Sequence, residues 1–156
     1  MSSVSGYIKN YPSPLYVASK HAILGFTRSM GDAEQHQGVK VACICPGNVN
    51  TPLWTEGTPG AGARYGLTEK NALTAETVAE AINEVVESPD IPGGAVIEVS
   101  LAGTRVLPEW NISPPPAIDD KTDGRGVTAS PEIIQNLLCP IVKVTDAERG
   151  KLRDRQ

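Results

Sequence analysis

Tyr16 and Lys20 stand four residues apart, and a serine-rich stretch with Ser2, Ser3 and Ser5 precedes them. On a helix, positions four apart share one face, so the phenol and the ammonium become neighbours. A free phenol titrates near pH 10, too high to act readily as a base at neutral pH. An ammonium about 4 Å away is worth about 4 kcal/mol at an effective dielectric of about 20, which draws the phenol toward phenolate. The chemistry open to such a pair is proton transfer to or from an oxygen. Taken alone, the spacing is equally that of a surface tyrosine beside a solvated lysine.

The elements around the pair narrow the choice. Ser13-Pro14 reads as an N-cap followed by proline in the first helical position. Leu15, Ala18, Ala22, Phe26, Met30 and Ala33 then recur at three- and four-residue steps, which predicts a helix from Pro14 to about Gln35, stopped by Gly38. "VKVACIC", Val39 to Cys45, has apolar residues on both alternating faces, the pattern of a strand buried on two sides in a parallel sheet. Residues 55–70, "TEGTPGAGARYGLTEK", read as a mobile loop. Thr74 caps a second helix with the stripe Val78, Ala81, Ile82 and Val85, and "AVIEVS" gives another strand. Strand, helix, strand, loop, helix, strand is an α/β order. With only a stub of strand before Ser5, it reads as the second half of a larger sheet.

"YVASKHAILGFTRSM" followed by "GVKVACICPGNVNTPLW" resembles the C-terminal half of the short-chain dehydrogenase/reductase family. The family carries Tyr-x-x-x-Lys on a long helix, then a strand ending in Pro-Gly-x-x-x-Thr, here Pro46, Gly47 and Thr51. "GGAVIEVS" is similar to the last core strand, and "VLPEWNISPPP" to the tail of fungal members found in secondary-metabolite pathways. The resemblance covers residues 1–113 and implies a Rossmann-like doubly wound parallel sheet. It implies an NAD- or NADP-dependent oxidoreductase acting on a secondary alcohol or ketone, with Ser3, Tyr16 and Lys20 as catalytic residues. Ser3 would hold the substrate oxygen, Tyr16 would exchange the proton, and Lys20 would lower the phenol's pKa and bind ribose hydroxyls. Tyr16, Lys20, Gly47, Val49 and Thr51 would be the cofactor-contacting set. The segment 52–72 would close over substrate, with Leu53, Trp54 and Tyr65 as candidate walls or packing residues.

Other family features are missing from these 156 residues. No G-x-x-x-G-x-G turn occurs; "GTPGAGARYG" follows no strand and opens no helix, so it fails the context for phosphate binding. The expectation is a chain that starts at the end of the fifth strand and lacks the pyrophosphate seat. Two other readings stand beside the oxidoreductase: a cofactor-free acid–base isomerase or dehydratase using Tyr16 and Lys20, and a non-catalytic remnant that binds an intact paralogue. Residues 114–156 read as a Pro-rich spacer, a polar stretch, a short helix from Ser130-Pro131 broken by Pro140, and a charged end.

Composition excludes more than it selects. With 40% apolar residues, a net charge of −4 and pI near 5.2, the chain has no basic footprint for nucleic acid or anionic membrane. It has no apolar run of the roughly 20 residues a span needs and no secretory signal after Met1. Cys43 and Cys45 fit buried packing on one strand face in a reducing, cytoplasmic setting rather than metal binding. The partners expected are a small carbonyl or alcohol substrate and, across exposed helix faces, a second copy or a paralogue.

Overall fold

The computed structural model describes residues 1–57, 59–109 and 127–149. They fall into two compact units, Met1–Pro108 and Glu109–Gln156. The expected boundary near residue 113, the proline spacer and the polar stretch lie largely outside the described residues, as does the end of the chain.

In the first unit, a 3-10 turn, Val4–Gly6, leads to α1 (Pro14–Ser29) and α2 (Ala33–Gln37), then to strand β1 (Cys43–Pro46). A π-helical turn, Leu53–Gly57, and α3 (Ala61–Arg64) fill the next connection before α4 (Ala75–Glu87), β2 (Val96–Ser100) and β3 (Gly103–Val106). The sheet order is β1-β2-β3. β1 and β2 run parallel, with Cys45 opposite Glu98, whereas β3 returns antiparallel to β2. The sheet is therefore mixed and not wholly parallel: Leu101 and Ala102 make a two-residue reversal into Gly103, whose φ of 111° suits glycine.

Both faces of the β1-β2 pair are covered, as the doubly apolar pattern requires. On one face Ile44, Ile97 and Val99 pack with Val78, Ala81 and Val85 of α4. On the other, Cys43, Cys45 and Val96 pack with Leu24 of α1. The α4 stripe is the one expected. The α1 stripe is not: Leu15 is 85% exposed and Phe26 61%, while Leu24 and Thr27 are the buried positions of this helix. The residues that face the sheet are offset around the helix from the most apolar ones.

Boundaries also shift. The first helix ends at Ser29, because Gly31 turns the chain against Gly93 and Gly94; a Cβ at Gly93 would stand 2.7 Å from the Gly31 carbonyl. Gly38 ends α2 in the left-handed region at φ 69°, as expected. β1 begins at Cys43 and not at Val39, since Val39–Ala42 only approach the sheet, with Val41 accepting from the Gly94 N–H at 2.8 Å.

In the second unit, Ser130 caps α5 (Pro131–Glu148) with its hydroxyl on the Ile133 N–H. Pro140 sits inside this helix and does not end it. A proline removes one N–H, but neighbouring turns carry the helix past it, and the charged end expected after Pro140 is helical through Glu148. No helix among the described residues is long and apolar enough to cross a membrane.

Candidate active site

The serine-rich start folds against α1 and β1. Ser2 and Ser3 are buried. The Ser2 N–H donates to the Ile44 carbonyl at 2.8 Å, and its hydroxyl donates to the Lys20 carbonyl at 2.9 Å. Ser3 is extended (φ −163°, ψ 166°) and N-caps the 3-10 turn, its Oγ accepting from the Ser5 N–H at 3.2 Å. The Ser3 hydroxyl reaches the Pro46 carbonyl only at 3.5 Å, so its proton is loosely held.

Tyr16 and Lys20 lie where α1 spacing puts them. The Lys20 ammonium stands 5.4 Å from the centre of the Tyr16 ring, within cation–π range. Tyr16 is 47% exposed, and its hydroxyl meets no hydrogen-bond partner among the described residues. The segment bearing Ser3 packs on α1 at Lys20, since a Cβ at Gly6 would stand 3.1 Å from the Lys20 carbonyl. No hydrogen bond among the described residues joins the Ser3 side chain to Tyr16 or Lys20.

Beyond β1, Gly47 donates to the Val99 carbonyl at 2.9 Å and stays half-buried. A Cβ there would meet only that carbonyl, at 3.8 Å, so packing within the chain does not demand glycine. Val49 forms a parallel bridge with Leu73, made by Asn48 and Asn50: Leu73 donates to the Asn48 carbonyl and Asn50 to the Leu73 carbonyl, both at 2.8 Å. This geometry turns the N–H and C=O of Val49 away from Leu73, and nothing among the described residues pairs with them. Thr51 is half-buried, its carbonyl accepting from the Trp54 N–H at 3.0 Å.

The segment after Thr51 is more ordered than a Gly-rich loop suggests. Trp54 and Tyr65 meet edge to face at 5.5 Å. The Asn71 side chain accepts from the Thr68 N–H at 2.7 Å and donates to the Gly66 carbonyl at 2.8 Å. Tyr65 also approaches Ser13, hydroxyl to hydroxyl at 3.5 Å. Ser13 holds the N-cap position of α1 without capping it by its side chain, which leaves that hydroxyl to face Tyr65.

Behind the site lies a polar group that the sequence reading passed over. The Tyr7 hydroxyl donates to Glu98 Oε2 at 2.5 Å, and Arg105 donates to the same oxygen at 2.7 Å. The Arg105 guanidinium and the Tyr7 hydroxyl hold the Glu98 carboxyl below the usual carboxylate range, while burial and the bond to Glu98 raise the Tyr7 phenol above its ordinary value. The available signal was a lone charge inside "VIEVS", facing an arginine seven residues on. Cys43 and Cys45 are buried beside Leu24, the packing role expected of them; the bond to Cys43 and burial keep the Cys45 thiol protonated. An open cleft of about 690 Å³ runs along Lys9, Tyr11, Val17 and His21, and neither Tyr16 nor Lys20 lines it.

These features define an α/β unit with a mixed three-stranded sheet and a tyrosine–lysine pair on its first helix. The solved structure of 4-hydroxyisoleucine dehydrogenase complexed with NADH has this fold over 65% of the present chain and 45% of its own, with a TM-score of 0.50 and 24% identity. Residues 1–62 match the short chain dehydrogenase family model. NAD(+) 15-hydroxyprostaglandin dehydrogenase of Mus musculus is 32% identical over 126 residues, which is 73% of this chain and 46% of that protein. The Bos taurus protein of the same name is 47% identical over 55 residues, or 34% of this chain and 21% of its own. L-fucose dehydrogenase of Mus musculus is 43% identical over 56 residues, 36% and 20%. The chain belongs to the short-chain dehydrogenase family and spans less than half the length of these curated relatives.

Proposed function

We propose that these residues carry the proton-transfer centre of an NAD- or NADP-dependent oxidoreductase acting on a secondary alcohol or ketone. The observation that carries the reading is the Lys20 ammonium 5.4 Å from the Tyr16 ring, on the helix against which the Ser3 turn is packed. The residues fit a nicotinamide. The uncommitted N–H and C=O of Val49 suit a carboxamide, Gly47 leaves room for a flat ring near the backbone, and Thr51 offers a hydroxyl beside them. Lys20 and Tyr16 would hold the ribose. A nicotinamide bound there supplies or accepts the hydride.

The chain's own part is the proton. In oxidation, Tyr16 Oη takes the proton of the substrate hydroxyl, and in reduction it returns one to the carbonyl oxygen. The Lys20 ammonium stabilises the phenolate between the two. Ser3 turns its loosely held O–H from Pro46 to the substrate oxygen and fixes it against Tyr16. Leu53, Trp54 and Tyr65 form the apolar side toward substrate. The 15-hydroxyprostaglandin and L-fucose dehydrogenases support an alcohol substrate, and the NAD(+) in one name supports NAD. A secondary-metabolite setting rests on "VLPEWNISPPP", of which Val106–Glu109 alone are described.

The test is turnover of a panel of secondary alcohols and ketones with NAD or NADP at about 10 mM, read as absorbance of reduced nicotinamide. Activity that Lys20→Met abolishes is expected. Activity unchanged in Lys20→Met would overturn the assignment.

A further inference from the structure

The turn that carries Ser3 is fastened at both ends. Ahead of it, Ser2 is 3% exposed and joins β1 to α1, its N–H on the Ile44 carbonyl and its hydroxyl on the Lys20 carbonyl. Behind it, Tyr7 donates to Glu98, which is 9% exposed and held from the other side by Arg105. Between the two, Gly6 lies so near α1 that a Cβ would stand 2.6 Å from both Leu24 Cδ1 and Ser2 Oγ. We propose that Ser2 and Tyr7 are positioning residues for Ser3, which fix its turn against α1 and so set the place of its hydroxyl relative to Tyr16 and Lys20.

The argument is mechanical. A single 3-10 turn, Val4–Gly6, is too short to hold its own shape; its backbone bonds are Gly6 to Ser3 at 2.8 Å and Tyr7 to Val4 at 3.3 Å. The Ser3 side chain adds a 3.2 Å bond to Ser5 and a 3.5 Å approach to Pro46. Nothing local, then, fixes where Ser3 points, and the anchors outside the turn decide it. Burying a carboxylate to tie down a loop costs free energy, but a bond to a charged acceptor is short and directional. That directionality is what a group meant to hold a substrate oxygen needs. Extended backbone at Ser3 sends neighbouring side chains to opposite sides. Ser2 can therefore grip α1 while Ser3 stays available.

The proposal rests on the reading of Ser3 as the substrate-holding residue, so its first test needs no activity. Amide hydrogen exchange in the full chain reads the Ser5 and Gly6 N–H groups, which donate to Ser3 Oγ and to the Ser3 carbonyl. Tyr7→Phe and Ser2→Ala should each speed exchange at both by about 10-fold, with the sheet amides of Cys43 and Gly47 unchanged. Glu98→Gln keeps a neutral and weaker acceptor for Tyr7 and should speed exchange at both amides by less than Tyr7→Phe does. Exchange at Ser5 and Gly6 that does not respond to either variant would overturn the proposal, as would an equal rise at Cys43 and Gly47. In turnover, Tyr7→Phe and Ser2→Ala should lower kcat about 5-fold with KM held within about 2-fold. Turnover indifferent to Ser3→Ala, with exchange as expected, would remove the catalytic reading of Ser3 and leave the clamp standing.

Discussion

Glu98 is an ionised side chain on the sheet face that also carries Val96 and Cys45, and its two partners explain why it can be there. Arg105, across the hairpin, neutralises it, and Tyr7 supplies a further donor to the same oxygen. Because the folded carboxyl is held below its unfolded value of about 4.3, the stability it contributes is present above that value and is lost as pH falls through the folded pKa. Urea unfolding below about pH 4.3 should therefore show a shallower loss of stability in Glu98→Gln than in the native chain. Equal slopes would mean that the pair is not linked to folding. Tyr16 and Lys20 were legible because their partnership spans four residues of one helix. The bonds from Ser2 to Lys20 and from Tyr7 to Glu98 span 18 and 91 residues, and no local pattern announces them. Ser2, which in sequence is one of three serines ahead of Tyr16, is the residue that ties β1 to α1.

Among the elements, those read well were the ones whose periodicity and caps agreed. Thr74 does cap α4, through the Thr77 N–H, and the α4 stripe is the buried one. α1 was placed correctly at Pro14, but its buried face was not, because Leu24 and Thr27 meet the sheet where Leu15 and Phe26 do not. β3 escaped notice since all four of its residues are exposed and carry no apolar alternation. The segment after Thr51 misled by composition: its glycines predict freedom, yet Trp54, Tyr65 and Asn71 tie it together. Tyr65→Ala, made in a Trp110→Phe background so that Trp54 alone emits, should shift the fluorescence to the red. Trypsin should also cleave it after Arg64 and Lys70 about 5-fold faster than the native chain. Unchanged emission and cleavage would show that Tyr65 does not hold the segment.

For the whole molecule, one α/β unit carries Ser3, Tyr16 and Lys20, which we propose for proton transfer, and Gly47, Val49 and Thr51, which we propose for a nicotinamide. The 156 residues contain no glycine-rich turn suited to a pyrophosphate. Binding confined to one end of a dinucleotide should be weak, and calorimetry on this chain should give a Kd for NADH or NADPH no tighter than about 1 mM, or about −4 kcal/mol. A micromolar constant would show that the pyrophosphate is held by residues with no such turn. The family match, carried by Tyr-x-x-x-Lys and Pro-Gly-x-x-x-Thr, was readable from sequence because those motifs are local; the clamp behind Ser3 needed the fold.

The most direct measurement is kcat/KM for Tyr16→Phe against the native chain, on any alcohol the protein oxidises, at saturating cofactor and neutral pH. The variant removes one hydroxyl that makes no hydrogen bond to any described residue, on a helix position 47% exposed, so the fold should not feel it. If Tyr16 moves the proton, kcat/KM falls by about 100-fold or more, with circular dichroism and the unfolding midpoint unchanged. A variant that keeps native kcat/KM would contradict the account at its centre.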